Sequence, residues 1–432
     1  MALHFAHPAV YVCAVPVESP ASSLDSIDLT DHELWRHGFP HDLFTSLRSQ
    51  APVWRHPDTP GTVPLHGGFW VVSRHDDVQS VSRDHGRFRS FEGPSMMHPP
   101  ETAGMTILTM DPPQHTRFRK LISAGFTPRM VAALEERVRT WAAAIVDRAL
   151  ERGECNFVHD VAYQLPMHMI ADIMGVPESD RAWLFDRADV VLQSTDPQSY
   201  LTPEERSAIH LEIYNYGKEL SAEKRRAPAD DVWTILTRAE IEQPDGTRTK
   251  LSEFELDQFF ELLLLAGSET TRGAISSGLL ALHEHPDELL RLRSEPELMP
   301  TAVEEILRWT APVIYFKRTA VDDTELRGQR IAAGERVVMF YPSANRDEAT
   351  FADPFRFDLG RTPNQHVSFG GGGIHFCLGA HLARREISIL FEELLDRVAD
   401  FELVGEPEYS VAGIGIPTTF TLKDLPVRLV PR

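Results

Sequence analysis

The segment Phe369-Gly-Gly-Gly-Gly-Ile-His-Phe-Cys377-Leu-Gly379 constrains this chain more than any other. Four consecutive glycines, Gly370 to Gly373, permit positive φ and let backbone approach a flat ligand closely. Cys377 follows, just before the helical stretch Leu378–Glu386. A cysteine at a helix N-terminus faces backbone N–H groups and the positive end of the helix dipole, which lowers its pKa and favours the thiolate. A thiolate is what an iron centre needs if electron density is to be pushed toward bound oxygen. A lone cysteine is more often an inert core residue, but the glycine run and the flanking Phe369 and Phe376 reverse those odds here. A dinucleotide-binding loop fails because Phe376 stands at the third-glycine position counted from Gly371 and Gly373.

The rest of the composition bounds the setting. The chain has 432 residues, enough to enclose a large cofactor, and needs no disulfides. Its cysteines, Cys13, Cys155 and Cys377, are far apart and odd in number, which fits a reducing cytoplasm. A formal net charge of −21 argues against a nucleic-acid partner. Residues 1–20 lack a basic n-region, and no apolar run spans a bilayer; the most apolar, Phe259 to Ala266, is too short. We therefore expect a soluble, cytoplasmic monomer with a flexible tail over residues 1–27. No Pro/Gly/Ser linker divides the remainder, so residues 28–432 are expected to form one domain.

Helical periodicity dominates. It predicts helices around Phe118–Leu121 and over Arg129–Glu151, Glu204–Arg226, Leu251–Glu284, Pro286–Ser294, Pro300–Thr310 and Ala380–Ala399. Thr127 is a plausible N-cap and Pro128 a first-turn residue. Strand signals are short: Val53-Trp54, Gly68–Ser73, Tyr315–Val321, Arg330-Ile331, Val337–Phe340, Thr418–Thr421 and Val427–Leu429. They cluster toward the two ends, which predicts a mainly helical body with small sheets to one side.

Within the longest helix, Leu262-Leu-Leu-Leu-Ala266-Gly-Ser-Glu269-Thr270-Thr271 interrupts an apolar run with a glycine, an acid and two hydroxyls. In isolation this could be a kinked core helix, since Ser and Thr hydroxyls bond back to carbonyls. Ala266-Gly267 removes bulk and would leave room for a diatomic ligand. Glu305 and Arg308 lie at i and i+3, as do several other pairs along the chain, so their spacing alone says little. His115 and Arg119 lie at i and i+4 and would point the same way from one helix.

Taken in this order, the cysteine loop, the Glu269-Thr270 helix, Glu305-Ile-Leu-Arg308 and the His115/Arg119 segment resemble the cytochrome P450 family. The likeness runs from about Asp28 to the C-terminus. One departure is that Phe369 stands eight residues before Cys377, where most members place it seven before. The resemblance implies an α-rich prism with a β-rich side, holding haem b with Cys377 as the iron ligand. It puts His115, Arg119, Arg318 and His375 at the haem propionates, and Ala266, Gly267, Phe369, Gly370 and Gly379 against the cofactor. Thr270 would hydrogen-bond the bound dioxygen or its water, and Glu269 would relay protons to it. Glu305 and Arg308 would be structural, tied to Arg361 or Arg356. Met96, Met97, Met105, Leu263, Val313, Ile314 and Ile416 would line the substrate pocket.

The implied reaction is hydroxylation of an apolar small molecule with O2, closest to family members acting on sterol side chains, branched fatty acids or terpenoids. No flavin or iron–sulfur segment is present, so electrons would come from a ferredoxin and its NAD(P)H-dependent reductase, meeting a basic face at Arg117, Lys120, Arg384 and Arg385. The alternatives are a hydroxylase of a polyketide or other secondary metabolite, a peroxide-driven peroxygenase, and a haem-thiolate sensor or electron carrier without turnover.

Overall fold

The apolar stretch beyond Leu251 folds as a 32-residue helix, Glu253–Glu284, around which the rest of the chain is arranged. Its start is fixed by a reciprocal cap. The Ser252 hydroxyl accepts from the Glu255 N–H at 3.2 Å, and the Glu255 carboxylate accepts from the Ser252 N–H at 2.8 Å. The computed structural model describes residues 24–123, 125–126, 128–193, 201–242, 246–410 and 416–432. Helices Pro128–Arg152, Gln164–Met174, Pro203–Arg226, Met299–Thr310 and Ala380–Arg397 pack around the long helix and one another. Ile275 and Leu279 of the long helix, Ile306 and Phe391 share one buried apolar core.

The expected helices are present with ends shifted by a few residues. Pro128 opens its helix, while the expected cap Thr127 lies outside the described residues. The helix from Ala380 stops at Arg397, because Val398–Leu403 leaves as a strand and pairs with Pro426–Pro431. Periodicity missed His41–Gln50, His75–Arg83 and Glu178–Gln193. The second of these has only Val78 and Val81 as apolar residues, too few to mark a stripe.

The main sheet joins the ends of the chain. Its strand order is Val53–Arg55, Trp70–Val72, Arg336–Phe340, Tyr315–Ala320, Phe88–Arg89. The Trp70–Val72 and Arg336–Phe340 strands run parallel and the other pairs antiparallel. Leu24 and Ile27 pack against the cluster around Trp35, Phe44 and Phe340 on this side of the fold. Among the described residues, no helix is long and apolar enough to cross a membrane.

A buried ionic staple anchors the segment that leads to the cysteine loop. Glu305 and Arg308 are fully buried and joined by two hydrogen bonds of 2.8 Å. The Arg361 Nε adds a third contact at 3.1 Å, and Arg308 also donates to the carbonyls of Asn345, Pro354 and Arg356. Every strong donor is satisfied, so removing one partner leaves a buried charge uncompensated. Glu305→Gln is expected to lower stability by about 3–5 kcal/mol, read by urea denaturation. A loss below 1 kcal/mol, on the order of an exposed pair, would refute the staple.

Glu386, on the Ala380–Arg397 helix, is 2% exposed, and burial pushes its carboxyl up to about 8. The folded chain then keeps a proton that the unfolded chain releases above the ordinary glutamate range. Stability is therefore fully present at low pH and is lost as pH rises toward 8. Glu386→Gln is expected to remove up to about 1.4 kcal/mol per pH unit of that loss, measured by denaturation across this range.

Candidate active site

The cysteine loop is held by its own backbone. The Phe369 carbonyl accepts from the Cys377 N–H at 3.0 Å, and the Gly370 N–H donates to Val367 O at 2.8 Å. Gly370, Gly372 and Gly373 adopt φ of +95°, +94° and +77°, which only glycine takes without strain. The close approach expected of the glycines is made to a helix. A Cβ on Gly373 would lie 2.5 Å from Ser82 O, and one on Gly371 would lie 2.9 Å from Val78 O, both on His75–Arg83. Phe369 packs near Phe376, with its ring under the Arg384 guanidinium at 4.4 Å.

Cys377 sits deep in the fold, yet the residue is accessible. Burial pushes its thiol up, against the lowering by the Gly379 and Ala380 N–H groups and by Arg119 and Arg384. The expected net lowering is thus corrected: the helix terminus contributes as foreseen, but desolvation outweighs it in the metal-free chain. Coordination by a metal ion removes the proton outright. The helix begins at Ala380, with Gly379 at the N-cap, so the sulfur lies just outside the first turn.

Four expected donors converge beside this sulfur. The rings of His115 and His375 are 4.4 Å apart. Burial and the nearby Arg119 and Arg318 push His375 down to about 2 and His115 to about 4, so both are neutral near pH 7. The His375 Nε2 and the Ser90 hydroxyl are hydrogen-bonded at 3.0 Å, while the buried His115 Nε2 has no partner. Arg318 is 5% exposed, and its side chain donates to the Lys317 carbonyl at 2.8 Å. Among the described residues, neither Arg119 nor Arg318 has a carboxylate within ion-pair distance. Two guanidinium ions and an orphaned imidazole nitrogen fit a ligand carrying two carboxylates.

Other expected site residues come from the long helix. Ala266 is exposed although it lies midway along this packed helix. Gly267 does not share that role: a Cβ there would lie 2.8 Å from Ile170 Cδ1, so the glycine makes room for helix Gln164–Met174. Successive helix residues point about 100° apart, which separates the two. The Thr270 hydroxyl donates to the Ala266 carbonyl at 3.0 Å. Glu269 turns elsewhere and accepts from the Thr419 hydroxyl at 3.0 Å; burial raises its pKa, with Arg272 opposing.

Met96, Ile314 and Ile416 join one apolar cluster, knit by Tyr315, whose hydroxyl accepts from the Met96 N–H at 3.1 Å. Val313 pairs with Thr419, the residue that touches Glu269. Leu263 packs instead in the helical cluster with Phe260 and Ile170. Met105 is half-buried and Met97 is 46% exposed, and neither belongs to an apolar cluster. The expected basic face is also corrected. Arg117 is ion-paired with Glu255, Arg384 with Glu304 and Arg385 with Glu135, which leaves Lys120 exposed. Sequence reasoning missed Ser90, Arg272 and Thr419, whose positions follow only from tertiary contacts.

The Cytochrome P450 family model matches residues 166–404. The chain belongs to the cytochrome P450 family. This P450 is 40% identical over 393 residues to a Rhodococcus jostii protein named steroid C26-monooxygenase, covering 89% of this chain and 81% of that one. It is 41% identical over 373 residues to a Mycobacterium tuberculosis protein named methyl-branched lipid omega-hydroxylase, covering 84% and 86%. A Mycobacterium marinum cytochrome P450 solved with pseudoionone superposes with a TM-score of 0.82 at 38% identity, covering 95% of this chain and 99% of the other. The chain is a haem-thiolate monooxygenase and haem b is its cofactor. The donor set described above, with its surplus of buried positive charge, suits the two propionates.

Gly373→Ala is expected to lower stability by about 1–2 kcal/mol from the backbone alone, with more from the clash at Ser82 O. Haem content should fall with it. Thermal unfolding and the haem-to-protein absorbance ratio check both, and wild-type values for both would contradict this account of the loop.

Proposed function

We propose that this P450 hydroxylates an apolar small molecule, a sterol side chain, branched fatty acid or terpenoid, with electrons from a separate ferredoxin and its NAD(P)H-dependent reductase. The observation that carries the substrate reading is the half-buried Val313, paired with Thr419 next to Glu269 and beside the apolar core that holds Met96, Ile314 and Ile416. Methionine and aliphatic side chains suit a flexible apolar ligand. The names of the steroid and branched-lipid relatives support the same class.

In this reading Cys377 holds the haem iron, and His115, Arg119, Arg318 and His375 hold the propionates. Haem supplies O2 activation and insertion of one oxygen atom into a C–H bond, with two electrons and two protons giving R–OH and water. The chain's own task is to deliver protons and exclude bulk water. The Thr270 hydroxyl hydrogen is engaged by the Ala266 carbonyl, which leaves the oxygen's lone pairs to accept a hydrogen bond from water or ligand. Burial disfavours the charged form of Glu269, with Arg272 and the Thr419 hydrogen bond opposing, which favours holding a proton there.

Glu269→Gln and Thr270→Ala are expected to lower product formed per NAD(P)H by about 10²-fold while NAD(P)H consumption continues. Unchanged yield with peroxide alone in Thr270→Ala would favour a peroxygenase. Titration with sterols, branched fatty acids and terpenoids, followed by the haem spin-state change, tests the substrate class. No response to any of the three would reject it.

A further inference from the structure

Behind Glu269 lies a polar cluster that the reaction as described does not use. Arg272, one helical turn farther on, is 6% exposed. Its Nη1 is 3.8 Å from Asp189 Oδ1 on the Glu178–Gln193 helix, and its guanidinium lies 5.8 Å over the Tyr163 ring. Its Nε is buried with no hydrogen-bond partner. The Tyr163 hydroxyl donates to the Phe185 carbonyl at 2.8 Å, which ties the ring to the same helix as Asp189. Four parts of the fold therefore meet here: the long helix, the Glu178–Gln193 helix, Tyr163 and the strand region at Thr419.

Glu269 and Arg272 stand at i and i+3, a spacing at which carboxylate and guanidinium pair readily on a helix. They do not pair here. Glu269 accepts from Thr419, and Arg272 leans toward Asp189. Among the described residues, Arg272 lies within ion-pair distance of Asp189 and not of Glu269. The charged and polar groups facing Glu269 are Arg272 and Thr419, with Asp189 and Tyr163 behind the guanidinium.

We infer that Asp189 and Arg272 form a positioning pair for Glu269: Asp189 draws the guanidinium toward the Glu178–Gln193 helix and so leaves the Glu269 carboxyl with Thr419, able to hold a proton. When Asp189 releases it, Arg272 turns to Glu269 and fixes it as a carboxylate. The placement of one helix thereby governs whether the acid can donate. The inference rests on Glu269 being the proton donor proposed above. Asp189 and Arg272 touch neither substrate nor cofactor in this scheme.

The test uses the holoenzyme and the carboxylic-acid carbonyl band of Glu269, identified by infrared difference against Glu269→Gln and followed with pH. Asp189→Asn keeps the shape of a half-buried side chain and frees Arg272. It is expected to lower the pH at which the band disappears by about 1–3 units and to reduce product formed per NAD(P)H. Arg272→Gln is expected to hold that pH at or above the wild-type value, and Asp189→Asn on that background should have no further effect. An unmoved band in Asp189→Asn, or a shift that persists without Arg272, overturns the inference. Product yield in Glu269→Gln is read separately. A normal yield there rejects Glu269 as the donor, whereas an impaired yield with an unmoved Asp189→Asn band rejects the positioning pair alone.

Discussion

The fold depends on fixing one sulfur atom where nothing in its surroundings favours charge strongly enough. Burial pushes the Cys377 thiol up despite two backbone N–H groups and two arginines. A thiolate at that position is stable once a metal ion replaces the proton. The loop that presents it is shaped by contacts of the chain itself. Its shape comes from the Phe369–Cys377 hydrogen bond and from glycines set against the backbone of His75–Arg83. That helix is held in turn by the main sheet and by Asp347, whose carboxylate accepts from the His75 N–H at 2.9 Å. The Glu305–Arg308–Arg361 staple fixes the stretch between Asn345 and Arg361, just before the loop. The sheet, the staple and the glycine run thus serve a single placement.

Charge tells the same story from the other side. An isolated cation buried in protein is expensive, and proteins pair such groups. Several buried cations in this chain do so: Arg308 has Glu305, Arg48 has Glu348 and Lys224 has Asp231. Arg119 and Arg318 break the pattern beside two neutral histidines. Lys317 and Arg346 also lack a carboxylate at ion-pair distance among the described residues, but Arg119 lies beside Cys377, whose charge it senses. Two guanidinium ions without carboxylate partners beside a cysteine sulfur suit the two carboxylates and the iron of haem.

Much of this was legible in sequence, because the decisive residues are chemically unusual where they stand. A glycine run before a cysteine, and an acid and hydroxyls inside an apolar helix, are local signals. The long helices were legible for a similar reason, since their apolar stripes extend over many turns. Short polar helices such as His75–Arg83 were not, because tertiary packing rather than periodicity sustains them. Gly267 misled because sequence adjacency to Ala266 suggested a shared face, whereas the helix turns it toward Ile170. The basic face misled because the neutralising Glu255, Glu304 and Glu135 are distant in sequence. Thr419 carries no local mark at all; its hydroxyl matters only because the Val313 bridge brings it to Glu269.

Two buried glutamates show why a shifted pKa does not by itself mark function. Glu386 and Glu269 are both pushed up by desolvation. For Glu386 burial is the whole cause. Among the described residues its carboxyl has no hydrogen-bond or ion-pair partner to receive a proton. Glu269 differs in having a hydroxyl at hydrogen-bond distance and a cation within one helical turn that is already engaged elsewhere. In the proposed relay a proton held there can be exchanged, and moving one arginine would tip the balance. What separates a stored proton from a usable one is thus the set of partners around the carboxyl, and those partners come from three separate parts of the chain.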